Sequence, residues 1–138
     1  MCSSDLLHLP PWVGIFLLHS TAKKKKDHGE GGVIIGTPLK GKVLIVDDVI
    51  SAGTSVNESV NLILKEGAQP SGIAISIDRE EKGSGVLSAV EEIKATHHLP
   101  ICHLTSLKEI MRYIESNTTY ASYIDAMRDY QKEYGIKT

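Results

Sequence analysis

The chain has 138 residues, enough for one domain with a real core and too few for two comfortable ones. With 41% hydrophobic and 23% charged residues it is neither disordered, collagen-like nor a coiled coil. Fifteen Lys and Arg against 17 Asp and Glu leave a net charge of −2, so no global field draws it to nucleic acid or to an anionic membrane. Cys2 and Cys102 are too few for a disulfide framework and read as reduced thiols, which makes the cytoplasm the expected compartment.

Residues 1–22 contain no Lys or Arg, and Lys23-Lys24-Lys25-Lys26 comes at once after them. The apolar run Trp12-Val13-Gly14-Ile15-Phe16-Leu17-Leu18 is 7 residues long. A membrane-crossing helix needs about 20. Only Asp5 is charged ahead of that run, so the positive start of a signal peptide is lacking. Pro10-Pro11 would break a helix entering it. A buried strand is the better reading, and a foreign, atypical N-terminal segment covering residues 1–22 is better still. That segment shares neither composition nor pattern with residues 23–138.

Residues 27–32 are polar and hold three glycines, which predicts a mobile loop. Val33-Ile34-Ile35 predicts a short strand, ended by Gly36-Thr37-Pro38. Val43-Leu44-Ile45-Val46 is a continuous apolar run, as expected for a strand covered on both faces of a parallel sheet. From Thr54 the period becomes helical, with Val56, Val60, Ile63 and Leu64 on one stripe and Gly67 as the stop. Ile73, Ile75 and Ile77 alternate as a strand, residues 86–95 return to helical spacing through Val86, Val90 and Ile93, and residues 99–104 give another strand.

Ser106-Leu107-Lys108-Glu109 is a capping box opening a helix through Ile110, Met111 and Ile114. A last helix is predicted from about Thr119 to Gly135, burying Tyr120, Tyr123, Ile124 and Met127. Strands alternating with helices mean right-handed βαβ units and a mainly parallel sheet with flanking helices. The fold class is α/β.

The chemistry concentrates in Val43-Leu44-Ile45-Val46-Asp47-Asp48-Val49-Ile50-Ser51-Ala52-Gly53-Thr54-Ser55. Two acids end a buried strand, where open α/β sheets bind their ligands. Small residues then run straight into a helix. Their N–H groups and hydroxyls can ring a phosphate, and the helix dipole favours it. The acids repel phosphate and suit sugar hydroxyls or the shell of a Mg²⁺ ion. A phosphate joined to a sugar diol satisfies both halves. An Asp-Asp turn before a capped helix is commonplace by itself; all thirteen residues in this order are far more specific.

That order resembles the phosphoribosyl-diphosphate (PRPP) motif of the type I phosphoribosyltransferases. Lys26-Asp27-His28-Gly29-Glu30-Gly31-Gly32 resembles the catalytic loop of the orotate phosphoribosyltransferases, and Ile75-Ser76-Ile77-Asp78-Arg79-Glu80-Glu81 resembles the strand and turn holding their orotate arginine. The resemblance runs from about Lys23 to the C-terminal helix. It implies a partial type I phosphoribosyltransferase, Rossmann-like fold over residues 23–138, and transfer of phosphoribosyl from PRPP to orotate on the route to UMP. Asp47 and Asp48 would take the ribose hydroxyls, with Asp48 among the catalytic groups. Ser51, Ala52, Gly53, Thr54 and Ser55 would surround the 5-phosphate, with Val49 and Ile50 also among the PRPP-binding residues. Ser51, where the family usually has threonine, and Arg79 would meet orotate. Lys23, Lys26 and His28 would close over the diphosphate, Lys26 and His28 acting in catalysis, across the interface of a homodimer. Mg²⁺ would be carried by PRPP, near Asp47 and Asp48, with no protein ligand set of its own.

The family's arginine before Lys23 is Ala22 here, and neither its diphosphate loop nor its orotate hood is found upstream. The sequence therefore reads as the C-terminal part of the enzyme, expected not to turn over orotate by itself. Two other readings compete. A non-catalytic PRPP-binding regulatory module would keep residues 47–55 without needing Lys26-Asp27-His28. A phospho-receiver domain also ends its first strand in acids, but Leu104-Thr105-Ser106 lacks the lysine it requires. His97, His98 and His103 have no Cys or carboxylate at ligand spacing, so no metal site is expected from them. Tyr120, Tyr123, Tyr130 and Tyr134 read as a packing face, and the lysine run without its His-Gly junction would be a solvated charge run.

Overall fold

The computed structural model describes residues 38–136 and, as backbone, the strand at residues 14–17. Its elements are β1 (Gly14–Leu17), β2 (Lys42–Asp47), α1 (Thr54–Lys65), β3 (Gln69–Asp78), α2 (Ala89–His97), β4 (Ile101–Ser106), α3 (Leu107–Glu115) and α4 (Ile124–Tyr134), with a short 3-10 turn at Ala121–Tyr123. The predicted loop at residues 27–32 and the predicted strand Val33-Ile34-Ile35 lie outside the described residues.

The strands form one parallel sheet in the order β1-β2-β3-β4. A strand thus does form within the apolar N-terminal run, paired along β2 from Gly14↔Val43 to Leu17↔Val46. One face of the sheet carries Val43, Ile45, Ile73 and Ile75, all nearly inaccessible. Val56, Val60 and Ile63 of α1 and Ala89 and Ile93 of α2 complete the same core. Both crossover helices therefore sit on one face, as an order that advances strand by strand in one direction requires. Each buried Val or Ile contributes about 1.5–3 kcal/mol.

Several boundaries differ from the sequence expectation. Leu64 is exposed, because α1 buries only a narrow stripe. The second helix starts at Ala89, not at 86; Ser88 caps it in a capping box with Glu91, which leaves Val86 in the loop at 89% exposure. The strand expected at residues 99–104 is displaced to Ile101–Ser106, held by Ile73↔Ile101 and Asp78↔Ser106. The Ser106–Glu109 capping box forms as expected. The last helix begins later, at Ile124, and buries no residue; Tyr120 and Tyr123 are exposed. The tyrosines make two separate ring pairs, Tyr113–Tyr120 and Tyr130–Tyr134, and no continuous face.

Gly53 sets the joint between α1 and α2. It is the N-cap of α1 with φ 68, a left-handed conformation costly for other residues. A Cβ there would lie 2.4 Å from Ile93 Cδ1, so the helices meet over bare backbone. Gly53→Ala is therefore expected to cost about 2–4 kcal/mol, strain and overpacking together, read as a lower denaturant midpoint at unchanged slope.

Three glutamates carry an acid dependence. Hydrogen bonds from the backbone of Ser88, of Ser84 and Gly85, and of Ser106 hold Glu91, Glu92 and Glu109 respectively below their ordinary value of 4.5. As pH falls the unfolded chain takes up these protons first, so the stabilisation is complete above about 4.5 and is lost through the lower folded values. Thermal unfolding should therefore be insensitive to these groups near neutrality and fall below 4.5. Glu92→Gln should flatten that fall; an unchanged acid limb would exclude Glu92 as a contributor.

Candidate functional site

The site gathers at the carboxyl ends of β2 and β3. Asp47 Oδ1 accepts the Asp48 N–H at 2.9 Å, and its Oδ2 accepts the Ser55 hydroxyl at 3.1 Å. This half-buried carboxylate thereby ties the end of β2 to the first turn of α1. Asp48 is exposed; its Oδ1 accepts the Val49 N–H at 2.8 Å. The Asp48 carbonyl accepts both the Ser76 and the Ile77 N–H, at 3.0 and 3.1 Å, so β3 fixes the turn carrying the acid pair.

The loop beyond the acids divides by burial. Ile50 is 4% exposed and plugs into the core, so its side chain is unavailable to a ligand, and Val49 is half-buried. Ser51, Ala52 and Thr54 are exposed around the buried Gly53, with Ser55 half-buried. The N-terminus of α1 has no side-chain cap and no acidic residue in its first turn. A helix start left in that condition favours an anion.

Arg79 lies just beyond β3 and reaches the same loop. Its Nη2 donates to Ser51 Oγ at 2.6 Å and to Glu81 Oε2 at 3.1 Å. Its Nε is buried with no hydrogen-bond partner among the described residues. Glu81 Oε1 accepts the Tyr130 hydroxyl from α4. That bond, with burial second, pushes the Tyr130 phenol above its ordinary value. The next segment is also held, since Glu92 accepts the N–H groups of Ser84 and Gly85 at 3.0 and 2.6 Å.

Of the site residues expected from sequence, the structure brings together Asp47, Asp48, the 49–55 loop and Arg79. Lys23, Lys26 and His28 lie outside the described residues. Glu81 and Tyr130 are additions that the sequence does not announce. Glu81 stands two residues beyond Arg79, but Tyr130 is 49 positions further along, where no spacing rule points to it. The three histidines serve separate places: His97 Nε2 lies 2.5 Å from Asn57 Oδ1, His103 Nδ1 lies 4.0 Å from Asp78, and His98 is the left-handed cap of α2. Among the described residues no group of three or more His, Cys, Asp or Glu could hold a metal ion.

The family model of the phosphoribosyl transferase domain matches residues 19–96. Orotate phosphoribosyltransferase of Chromobacterium violaceum is 54% identical over 114 residues, 83% of this chain and 53% of that protein. The enzyme of that name from Neisseria meningitidis serogroup C is 44% identical over 149 aligned residues, 96% of this chain and 70% of that protein. The crystal structure of orotate phosphoribosyltransferase from Francisella tularensis superposes with a TM-score of 0.56 at 35% identity, covering 68% of this chain and 46% of that one. The alignments thus cover between 46% and 70% of the length of these relatives. None of them supports a phospho-receiver or a separate regulatory module. The acid pair, small-residue loop and arginine assembled at one sheet end, with the matched domain across them, show that this chain belongs to the orotate phosphoribosyltransferase family of phosphoribosyl transferase domains.

Proposed function

We propose that this chain supplies the phosphoribosyl and base sites of an orotate phosphoribosyltransferase, which joins orotate to PRPP and releases orotidine 5′-phosphate and diphosphate for UMP synthesis. The observation that carries the reading is the 2.6 Å bond between Arg79 and Ser51. It sets the residues assigned to orotate at the rim of the loop assigned to the 5-phosphate.

Asp47 and Asp48 would orient the ribose through its hydroxyls, while the N–H groups and hydroxyls of residues 51–55 hold its phosphate. Arg79 would steer the planar orotate anion by charge-assisted hydrogen bonds. Such placement converts a bimolecular displacement at C1 of the ribose into an oriented one. Negative charge develops on the departing diphosphate, and Lys23, Lys26 and His28 are the cations proposed to stabilise it while water is excluded. Mg²⁺ arrives with PRPP as part of the substrate. The oxygen donors of Asp47 and Asp48 suit a hard cation beside it, and the ion would supply charge neutralisation. The functional unit is proposed to be a cytoplasmic homodimer in which those three cations act across the interface.

Calorimetry with Mg²⁺-PRPP tests the sugar-phosphate half. Asp47→Asn and Asp48→Asn should each weaken binding about 10- to 150-fold, the range for losing a charged hydrogen-bond partner. Unchanged affinity in both would remove the assignment. Steady-state kinetics on a version restored to the full length of its relatives, with each substrate varied in turn, tests the base half. Arg79→Ala should raise the orotate KM by at least about tenfold while moving that for PRPP little. An equal loss for both would make Arg79 structural.

A further inference from the structure

Helix α4 has no buried residue along its 11 positions, so core packing does not explain where it docks. Arg128 Nη2 ties it to Glu115 of α3 at 2.8 Å, and further polar contacts tie it to the segment after β3. The Lys82 N–H donates to the Tyr134 carbonyl at 2.8 Å, Glu81 forms an isolated antiparallel bridge with Gly135, and Tyr130 donates its hydroxyl to Glu81. The Tyr130 ring is steadied by Tyr134, with centroids 4.9 Å apart. The contacts to Glu81 and Lys82 fall on the turn just after Arg79.

We infer that Tyr130 and Glu81 are positioning residues for the base site: by occupying Glu81 Oε1, the Tyr130 hydroxyl turns Oε2 toward Arg79 and fixes the guanidinium for an incoming planar anion. The inference rests on the reading of Arg79 as the residue that holds orotate. The side chain of Arg79 is 33% exposed, and an arginine so open would sample many rotamers if untethered. Two protons on Nη2 meet Ser51 and Glu81, which fixes the plane of the fork. No hydrogen bond among the described residues engages Nη1, which keeps its two donors for a ligand, whereas Nε is buried. Held in this way, the guanidinium presents Nη1 in a fixed plane as a charge-assisted donor to a carboxylate. Glu81, only 15% exposed on its side chain, is itself held by a helix residue 49 positions away. The C-terminal helix is thereby coupled through Glu81 to Arg79 and to Ser51.

The test compares orotidine 5′-phosphate with ribose 5-phosphate by calorimetry on the full chain, because the ratio of the two affinities isolates the base. Tyr130→Phe keeps the ring and removes only the hydroxyl. It should lower the ratio about three- to tenfold, with ribose 5-phosphate affinity and the unfolding midpoint nearly unchanged. Glu81→Ala should lower it further. In both variants NMR of the Arg79 guanidinium should show faster Nη rotation without any ligand present. If Arg79→Ala collapses the ratio while Tyr130→Phe and Glu81→Ala leave it intact, the positioning role is overturned and the base-site reading stands. If Arg79→Ala leaves the ratio intact, the base-site reading fails and this inference with it. A higher ratio in Glu81→Ala would make Glu81 a competing anion and overturn the role as well. Should Tyr130→Phe fail to fold, Glu81→Ala decides by the same two readouts.

Discussion

The Asp48 carbonyl, pinned by two amides of β3, constrains everything else at this end of the sheet. A parallel ladder would otherwise let β2 run on beyond Asp47. Instead the chain turns, Ile50 drops into the core, and the residues between Ser51 and Ser55 are lifted around the start of α1. Asp47 closes the other side of that turn through Ser55. The backbone of the acid pair and the Asp47 carboxylate hold the loop, while Asp48 stands exposed beside it.

Beneath the loop the packing is unforgiving. Ile93 fills the space a side chain at position 53 would need, so α1 and α2 approach over the glycine backbone and the loop inherits its height from that contact. Protein cores transmit such displacements because they are close-packed. The N–H groups at the start of α1 are consequently presented on a rigid support, the condition under which a helix terminus binds an anion strongly.

The turn after β3 shows the opposite arrangement. Around Arg79 there is little apolar burial, and order comes from charged and phenolic hydrogen bonds to Ser51, Glu81 and, through Glu81, Tyr130. The bonds made by Glu81 are part-buried, its side chain being only 15% exposed. The effect of this network is on the orientation of one guanidinium. The loop thus rests on a rigid apolar support, while the turn after β3 is tied to it by a polar tether.

The residues alone determined the α/β class, the strand and acid pair at Asp47, the helix opening at Thr54, the capping box at Ser106 and the arginine after β3. Each is a local matter of periodicity, capping or a motif of contiguous residues. Boundaries set by pairing were not legible: β4 slid to Ile101–Ser106 because its register with β3 decided it, and the second helix waited for the Ser88 cap. Residues at the last helix lost their expected burial for the same reason, since an apolar stripe does not say what will be there to cover it. The placement of Glu81 and Tyr130 beside Arg79 was likewise decided only by tertiary structure. A hydrogen bond between positions 49 apart depends on where two elements dock, and neither residue carries that information alone.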